Sequence, residues 1–336
     1  MSMFKSIKVA AAAAVAVGAL TAFGATTQAA EVKLTMVHPF PDFLIYTKNC
    51  KALVAAINER GKGVVHIEML PLNSIKMFAQ APAVSKGRVD LVCTPAAFYA
   101  SAIPENEAVS TASSTVEQAR ASGGIAMLDA LHQKHFNAKY LGWTSSGNNF
   151  RIYMKNAPKF GSNGLPDFSG VKMRDNPIYG ALLRALKATT HNLPSSAVFS
   201  ALEKGVVDAS PWATLGLQGL KWDKFLRHAI ATEFYQTDIG WLMNLDKWNG
   251  MGAAAQKVVQ DTVIEFESRN LKLLSGMAGK EKAKLMAEGM KFHDVPDAAA
   301  FLKIAIDSAY GRMDERLTKA KRDKSGVAKL RAAFQQ

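Results

Sequence analysis

Val32-Lys33-Leu34-Thr35-Met36-Val37, a helical recurrence of Phe43, Tyr46, Cys50, Leu53, Val54 and Ile57, and then Val65-His66-Ile67-Glu68-Met69 decide the fold. The first run is strand-like, and the six apolar residues after it recur every three or four positions up to a stop at Gly61-Lys62-Gly63. In the third run Val65, Ile67 and Met69 alternate with His66 and Glu68, which makes a strand with one polar face. A helix over 78–86 ends at Gly87, and 89–93 reads as a third strand. Strand, helix, strand, helix, strand is the layout of an open α/β sheet, which takes ligands at the carboxyl ends of its strands.

The alternation returns farther along. A long helix is expected over 116–135, strands over 140–143 and 150–154, a helix over 177–187, a short strand, and a helix over 196–204 stopped by Gly205 before Val206-Val207. Two α/β lobes with a cleft between them accommodate these two sets better than one large sheet. The expected division is lobe 1 over 30–145, lobe 2 over 146–245, and a helical segment over 246–336 that ends in a basic tail. Its amphipathic runs, 253–274 and 298–317, are long enough to brace both lobes.

The N-terminus carries an address. Met1 to Lys8 holds two lysines and no acid, an Ala/Val-rich run follows to about Phe23, and Thr27-Gln28-Ala29 offers the small residues of a cleavage site. Residues 1–29 therefore read as a cleaved export signal, too short and too weakly apolar for a membrane span. No later segment approaches the roughly 18 uninterrupted apolar residues that a spanning helix needs, so the expected location is the periplasm. Removing Lys5 and Lys8 takes the formal charge from +13 to +11 over the remaining residues. Export argues against nucleic acid as the reason for that charge, and attraction of anions towards a cleft fits it. Lys319, Lys321, Arg322, Lys324, Lys329 and Arg331 cluster near the end and read as a solvated helix face rather than a docking surface. Cys50 lies on a helix face and Cys93 inside a strand, and both a bridge and two buried thiols remain open.

Arg174 stands where a short apolar strand gives way to a turn and a helix opened by Asn176-Pro177. Backbone N–H groups at such a junction face an incoming anion. The blocks around it, Asp167-x-x-Gly170-x-Lys172-x-Arg174 and Ala201-Leu202-x-x-Gly205-x-Val207-Asp208, resemble those of DctP-type solute-binding proteins of tripartite ATP-independent periplasmic (TRAP) transporters. Pro71 with Ile75, Lys86-Gly87-x-x-Asp90, and Met243-Asn244 with Trp248 add to the resemblance, which spans nearly the whole chain after the export signal.

The resemblance implies a periplasmic-binding-protein-like fold that closes on a small organic acid and passes it to the small and large subunits of a TRAP permease for ion-gradient-driven uptake. It implies that Arg174 pairs with the ligand carboxylate, since a planar guanidinium can donate two parallel bonds to one carboxylate. Arg151, 23 residues earlier, matches a second family arginine. The remaining matched positions depart from sugar-acid binders. Trp212 replaces a polar amide, Met77, Pro95 and Phe98 replace polar or charged groups, and Ser195 stands where a ring is common. With Phe40 in the loop His38-Pro39-Phe40-Pro41, the cleft is expected to be apolar around its carboxylate clamp, suited to an aromatic or 2-oxo monocarboxylate. His38 either lines the cleft or closes its turn, and Tyr235, Gln236 and Asp238 lie in a hinge-like segment that can supply a polar contact.

Other chemistry has little support. Gly250-Met251-Gly252-Ala253-Ala254-Ala255 loosely matches a dinucleotide fingerprint but lacks the strand before it, and reads as a helix start. Asp129, His132 and His135 share a helix face without a further metal ligand. No Gly-x-Ser-x-Gly, His-Glu-x-x-His or Cys-x-x-Cys occurs. The expectation is a monomeric receptor without cofactor or metal. A receptor for another transporter class is the alternative, and an exported enzyme acting on a carboxylated substrate is the weaker one.

Overall fold

The computed structural model describes residues 30–336, and the expected export signal, 1–29, lies outside the described residues. Strand β1 (Val32–Val37) is followed by α1 (Ile45–Arg60) and β2 (Val65–Met69), which lies parallel to β1 with Val32 opposite Val65 and Leu34 opposite Ile67. The alternation read from the sequence sets the two faces: Val65 and Ile67 are buried against α1, while His66 and Glu68 are exposed. A short helix α2 (Gln80–Ser85) leads to β3 (Leu91–Pro95), parallel to β1 on its other side. Then come α3 (Glu107–Ser110), α4 (Val116–Ala121), α5 (Gly124–Phe136) and β4 (Ala138–Trp143).

The chain next builds a second sheet. It contains β5 (Asn149–Met154), a two-residue pairing of β6 (Lys159–Phe160) with β7 (Pro166–Asp167), then β8 (Lys172–Asp175), α6 (Gly180–Ala185), β9 (Thr189–Asn192), α7 (Ser195–Glu203) and β10 (Ala209–Ala213). Two short strands, β11 (His228–Ile230) and β12 (Phe234–Gln236), both pair with β5. Strand β13 (Ile239–Asn244) then returns to the first sheet, antiparallel between β3 and β4, which gives the order β2-β1-β3-β13-β4. After α8 (Leu245–Gly250) and α9 (Ala253–Ala287), β14 (Lys291–His293) closes the edge of the second sheet, order β14-β11-β5-β10-β8-β9. Helices α10 (Ala298–Lys319) and α11 (Val327–Phe334) finish the chain.

Two lobes braced by long helices are therefore present, but they do not divide where the linear order suggested. β13 falls within 146–245 yet belongs to the first sheet, and β14 falls within 246–336 yet belongs to the second. The helix expected over 116–135 is two helices, because Gly123 takes φ +81°, a left-handed conformation that ends one helix and cannot continue it. The helix expected from 177 begins at Gly180, since Asn176 Oδ1 accepts the Ile178 N–H at 2.9 Å and holds those residues in a turn. Helix α9 runs 35 residues, well past the expected end at 274. Its extra turns dock on the second lobe, where Glu281 accepts the Gly216 N–H at 2.9 and 3.0 Å. Its first half serves the first lobe: Glu267 accepts the Trp143 N–H at 2.7 Å and pairs with Arg120. Gly142 must lack a side chain there, because a Cβ would stand 2.3 Å from Glu267 Oε1.

Cys50 of α1 and Cys93 of β3 form a disulfide. The basic C-terminal cluster is exposed except for Arg322, which turns inward to Glu105 at 2.7 Å. Among the described residues no helix is long and apolar enough to cross a membrane.

Candidate functional site

β8 lies inside the second sheet, parallel to both neighbours, with Met173 opposite Ala209 and Arg174 opposite His191. Arg174 is 2 % exposed. Its Nε donates to the Leu193 carbonyl at 2.9 Å and its Nη1 to the Tyr179 hydroxyl. Tyr179 in turn donates to the Pro211 carbonyl at 3.0 Å, so its oxygen is free to accept from the arginine. Three rings surround the guanidinium, with centroids 5.6 Å (Tyr179), 5.8 Å (Trp212) and 6.0 Å (Trp222) away.

Among the described residues, no carboxylate lies within ion-pairing distance of Arg174, and no protein group accepts from its Nη2. The adjacent acid, Asp175, is turned to Arg184 at 3.5 Å. A buried cation held by neutral partners alone is costly, and ring faces offset only part of that cost.

Arg174 borders a cavity between the lobes that encloses about 410 Å³ of space not occupied by protein atoms, its mouth included. Phe40, Met77, Pro95 and Phe98 line it from the first lobe, and Ser195 and Trp212 from the second. The rings pack edge to face, Phe40 on Phe98 at 6.1 Å and Trp212 on Trp222 at 4.8 Å. The Trp212 indole N–H is already given to the Leu215 carbonyl at 3.1 Å, so this residue offers the cavity only apolar surface. Two polar atoms of the wall are buried without a protein partner: Ser195 Oγ and Asp238 Oδ1. Burial pushes the Asp238 carboxyl up to about 6.

The sequence pattern that defines bacterial extracellular solute-binding protein family 7 (DctP) matches residues 37–314. The chain belongs to this family. One relative, a monocarboxylate 2-oxoacid-binding periplasmic protein from a Nostoc species, is 24 % identical over 205 residues, which is 59 % of this chain and 53 % of that protein. A solute-binding protein from Verminephrobacter eiseniae is 29 % identical over 53 % of this chain and 52 % of its own. The chain thus spans about half the length of each of these relatives. Solved TRAP solute-binding proteins share the fold. A Bordetella pertussis receptor that binds pyroglutamic acid superposes with TM-score 0.75 at 17 % identity, over 90 % of this chain and 99 % of its own. A Bordetella bronchiseptica protein with calcium and picolinate gives 0.72 at 21 %, over 90 % and 92 %. A Haemophilus influenzae protein with L-gulonate gives 0.73 at 15 %, over 90 % and 99 %.

Three residues expected at the family 7 site are placed elsewhere. Arg151 is not on the cavity wall: its guanidinium pairs with Glu233, on the loop between β11 and β12, and lies 5.3 Å from the Phe292 ring. Its neighbour Phe150 does line the cavity. His38 closes its own turn, Nδ1 against the Phe40 carbonyl at 2.9 Å, and burial lowers its pKa. Tyr235 donates to the Ala305 carbonyl of α10 at 2.6 Å and borders a separate depression. Conversely, Tyr46, Phe150, Asn176, Ile178, Ala213, Thr237 and Ile239 line the cavity without having been singled out in the sequence. Asn176 and Ile178 follow Arg174 by two and four residues and were within reach of the motif. Tyr46 looks like core, and in part it is: its hydroxyl is taken up by Leu215 and Asn148. Asp129 is engaged by Lys139 and by the Tyr140 N–H at 2.9 Å, and among the described residues no group of three or more His, Cys, Asp or Glu could hold a metal ion.

Proposed function

We propose that this family 7 receptor captures a compact or aromatic monocarboxylate in the periplasm by closing its two lobes, and delivers it to a TRAP permease for ion-gradient-driven uptake. One observation carries the reading: Arg174 is a buried guanidinium on a cavity wall with no acidic partner. An incoming carboxylate supplies the missing charge, with Nη2 unspent on protein and Ser195 Oγ available as a further donor. The rest of the wall, dominated by Phe40, Phe98, Phe150, Ile178 and Trp212, favours an apolar body over a polyol. Micromolar affinity corresponds to about 8 kcal/mol, and one charge-assisted hydrogen bond supplies about 1.5–3, so the apolar wall must furnish much of the remainder. Closure is a hinge transition that a ligand touching both walls stabilises.

The test is a thermal-shift screen of the chain without residues 1–29 against small organic acids, followed by calorimetry on the hits. Monocarboxylates with aromatic or short aliphatic bodies should raise the melting temperature. If sugar acids or dicarboxylates alone do so, the apolar reading of the cavity is wrong.

A further inference from the structure

Asp238 stands on the crossing segment that returns from β12 to β13, and it is the one acid among the residues lining the cavity. Its Oδ2 accepts the Ala97 N–H and the Ser110 hydroxyl, each at 2.7 Å. Both donors belong to the first lobe, so this carboxyl is oriented before any ligand arrives. A backbone N–H can only donate, which makes Oδ2 an acceptor in every protonation state. Oδ1 is buried and has no hydrogen-bond partner from another residue. Arg174, in the sheet of the other lobe, lacks an acceptor at Nη2. The cavity thus lacks one anion on one wall and one hydrogen-bond donor on the other.

We infer that the receptor selects carboxylates that also carry an N–H or O–H donor, and that Asp238 Oδ1 is the acceptor that reads this donor. The inference rests on the carboxylate reading of Arg174 given above. A 2-oxo acid offers acceptors only, and its keto oxygen would meet the Asp238 oxygen as like against like. A hydroxy, amino or lactam acid satisfies both walls. Leaving a buried charged oxygen unpaired is what makes such a site discriminate. The nearby Glu107 is already matched by Arg312 and Arg316 at 2.7 and 2.9 Å, so it does not compete for the ligand's donor. With burial placing its titration near 6, Asp238 is an acceptor at neutral pH.

Calorimetry at pH 7.5 with acids of one carbon skeleton tests this: lactate against pyruvate, mandelate against phenylglyoxylate, and 2-hydroxyisovalerate against 2-oxoisovalerate. The hydroxy member of the tightest pair should bind at least about tenfold better. Asp238→Asn should invert the order, because the Ala97 N–H keeps the amide oxygen in the Oδ2 position and turns the amide N–H towards the ligand. Oxo acids that match or exceed their hydroxy partners on the wild-type protein overturn the inference, as does a preference unchanged in Asp238→Asn. Should that variant not fold, the wild-type order alone decides. Absence of binding by all six acids and by other monocarboxylates sinks the carboxylate reading itself, a different result from binding without donor selectivity.

Discussion

Arg312 grips Glu107 with two parallel hydrogen bonds, Nε to Oε1 at 2.8 Å and Nη2 to Oε2 at 2.7 Å, and the same Nη2 reaches the Ile178 carbonyl at 3.0 Å. Glu107 belongs to α3 of the first lobe, Arg312 to the bracing helix α10, and Ile178 to the turn that carries the cavity wall beyond Arg174. A single guanidinium therefore ties both lobes and the site together. Arg316 adds a third bond to the same acid at 2.9 Å.

Glu107→Gln should lower the unfolding free energy by about 3–5 kcal/mol, because it leaves two largely buried guanidinium groups without their charge partner. Denaturant unfolding followed by circular dichroism measures it. A loss below 1 kcal/mol would mean that water or other acceptors take over from the carboxylate.

Arg174→Lys keeps the charge but gives up the planar fork and its hold on Leu193 and Tyr179. Monocarboxylate affinity should fall about 10- to 100-fold, the equivalent of one charge-assisted hydrogen bond. Calorimetry reads the affinity, and a near-normal value would remove Arg174 from its role as anchor.

Cys50 and Cys93 close a loop across 43 positions. Replacing both with alanine should cost about 4 kcal/mol, on the chain-entropy account of cross-links. Chemical denaturation of the oxidised protein and the double variant gives the difference directly. Ligand affinity should change little, because neither sulfur lines the cavity.

His132 is buried and neutral. Its Nδ1 faces the Leu128 carbonyl at 2.7 Å, and a carbonyl only accepts, so Nδ1 carries the proton and Nε2 accepts from the Tyr99 hydroxyl at 3.1 Å. Burial pushes its pKa down from 6.5 to about 4. The folded value is the lower one, so the stability that the neutral ring provides is complete above pH 6.5 and drains away as the pH falls towards 4, by on the order of 3 kcal/mol. Asp238 and Glu267 work in the opposite sense, with folded values raised to about 6 and about 7, and gain stability as the pH falls. A comparison of wild type with His132→Gln removes that common contribution. The variant should lose distinctly less stability between pH 7 and pH 4.5, and parallel curves would contradict the assignment.

The elements that could be read from the chain were those whose signal is local. β1, β2 and α1 follow from alternation and from helical recurrence, each complete within a short window of sequence. The break at Gly123 has a local signal, since Ser122-Gly123-Gly124 is a turn-type run, and φ +81° at Gly123 shows that the signal outweighs the helical recurrence on either side. Helix α9 outruns its local signal because its last turns are held by the second lobe, where Leu285 is buried and Glu281 is engaged.

At the site the same division holds, and it separates what the chain order determined from what only the tertiary structure decided. Arg174 was legible because its strand, turn and helix form one contiguous segment, and Trp212 because it departs from a matched pattern. Arg151 matches the family pattern in the same way, yet Glu233, 82 residues away, takes it. The pairing of Cys50 with Cys93 and the return of β13 to the first sheet are likewise long-range events. Asp238 was visible only as a polar residue in a hinge-like segment. Its meaning comes from the Ala97 N–H and the Ser110 hydroxyl, which occupy one of its oxygens from 141 and 128 positions away and leave the other for a ligand. Local sequence determines which backbone forms and which residues can carry charge. Which of those charges stays unsatisfied is a property of the folded neighbourhood, because hydrogen bonds and ion pairs are consumed by whatever the fold brings within reach.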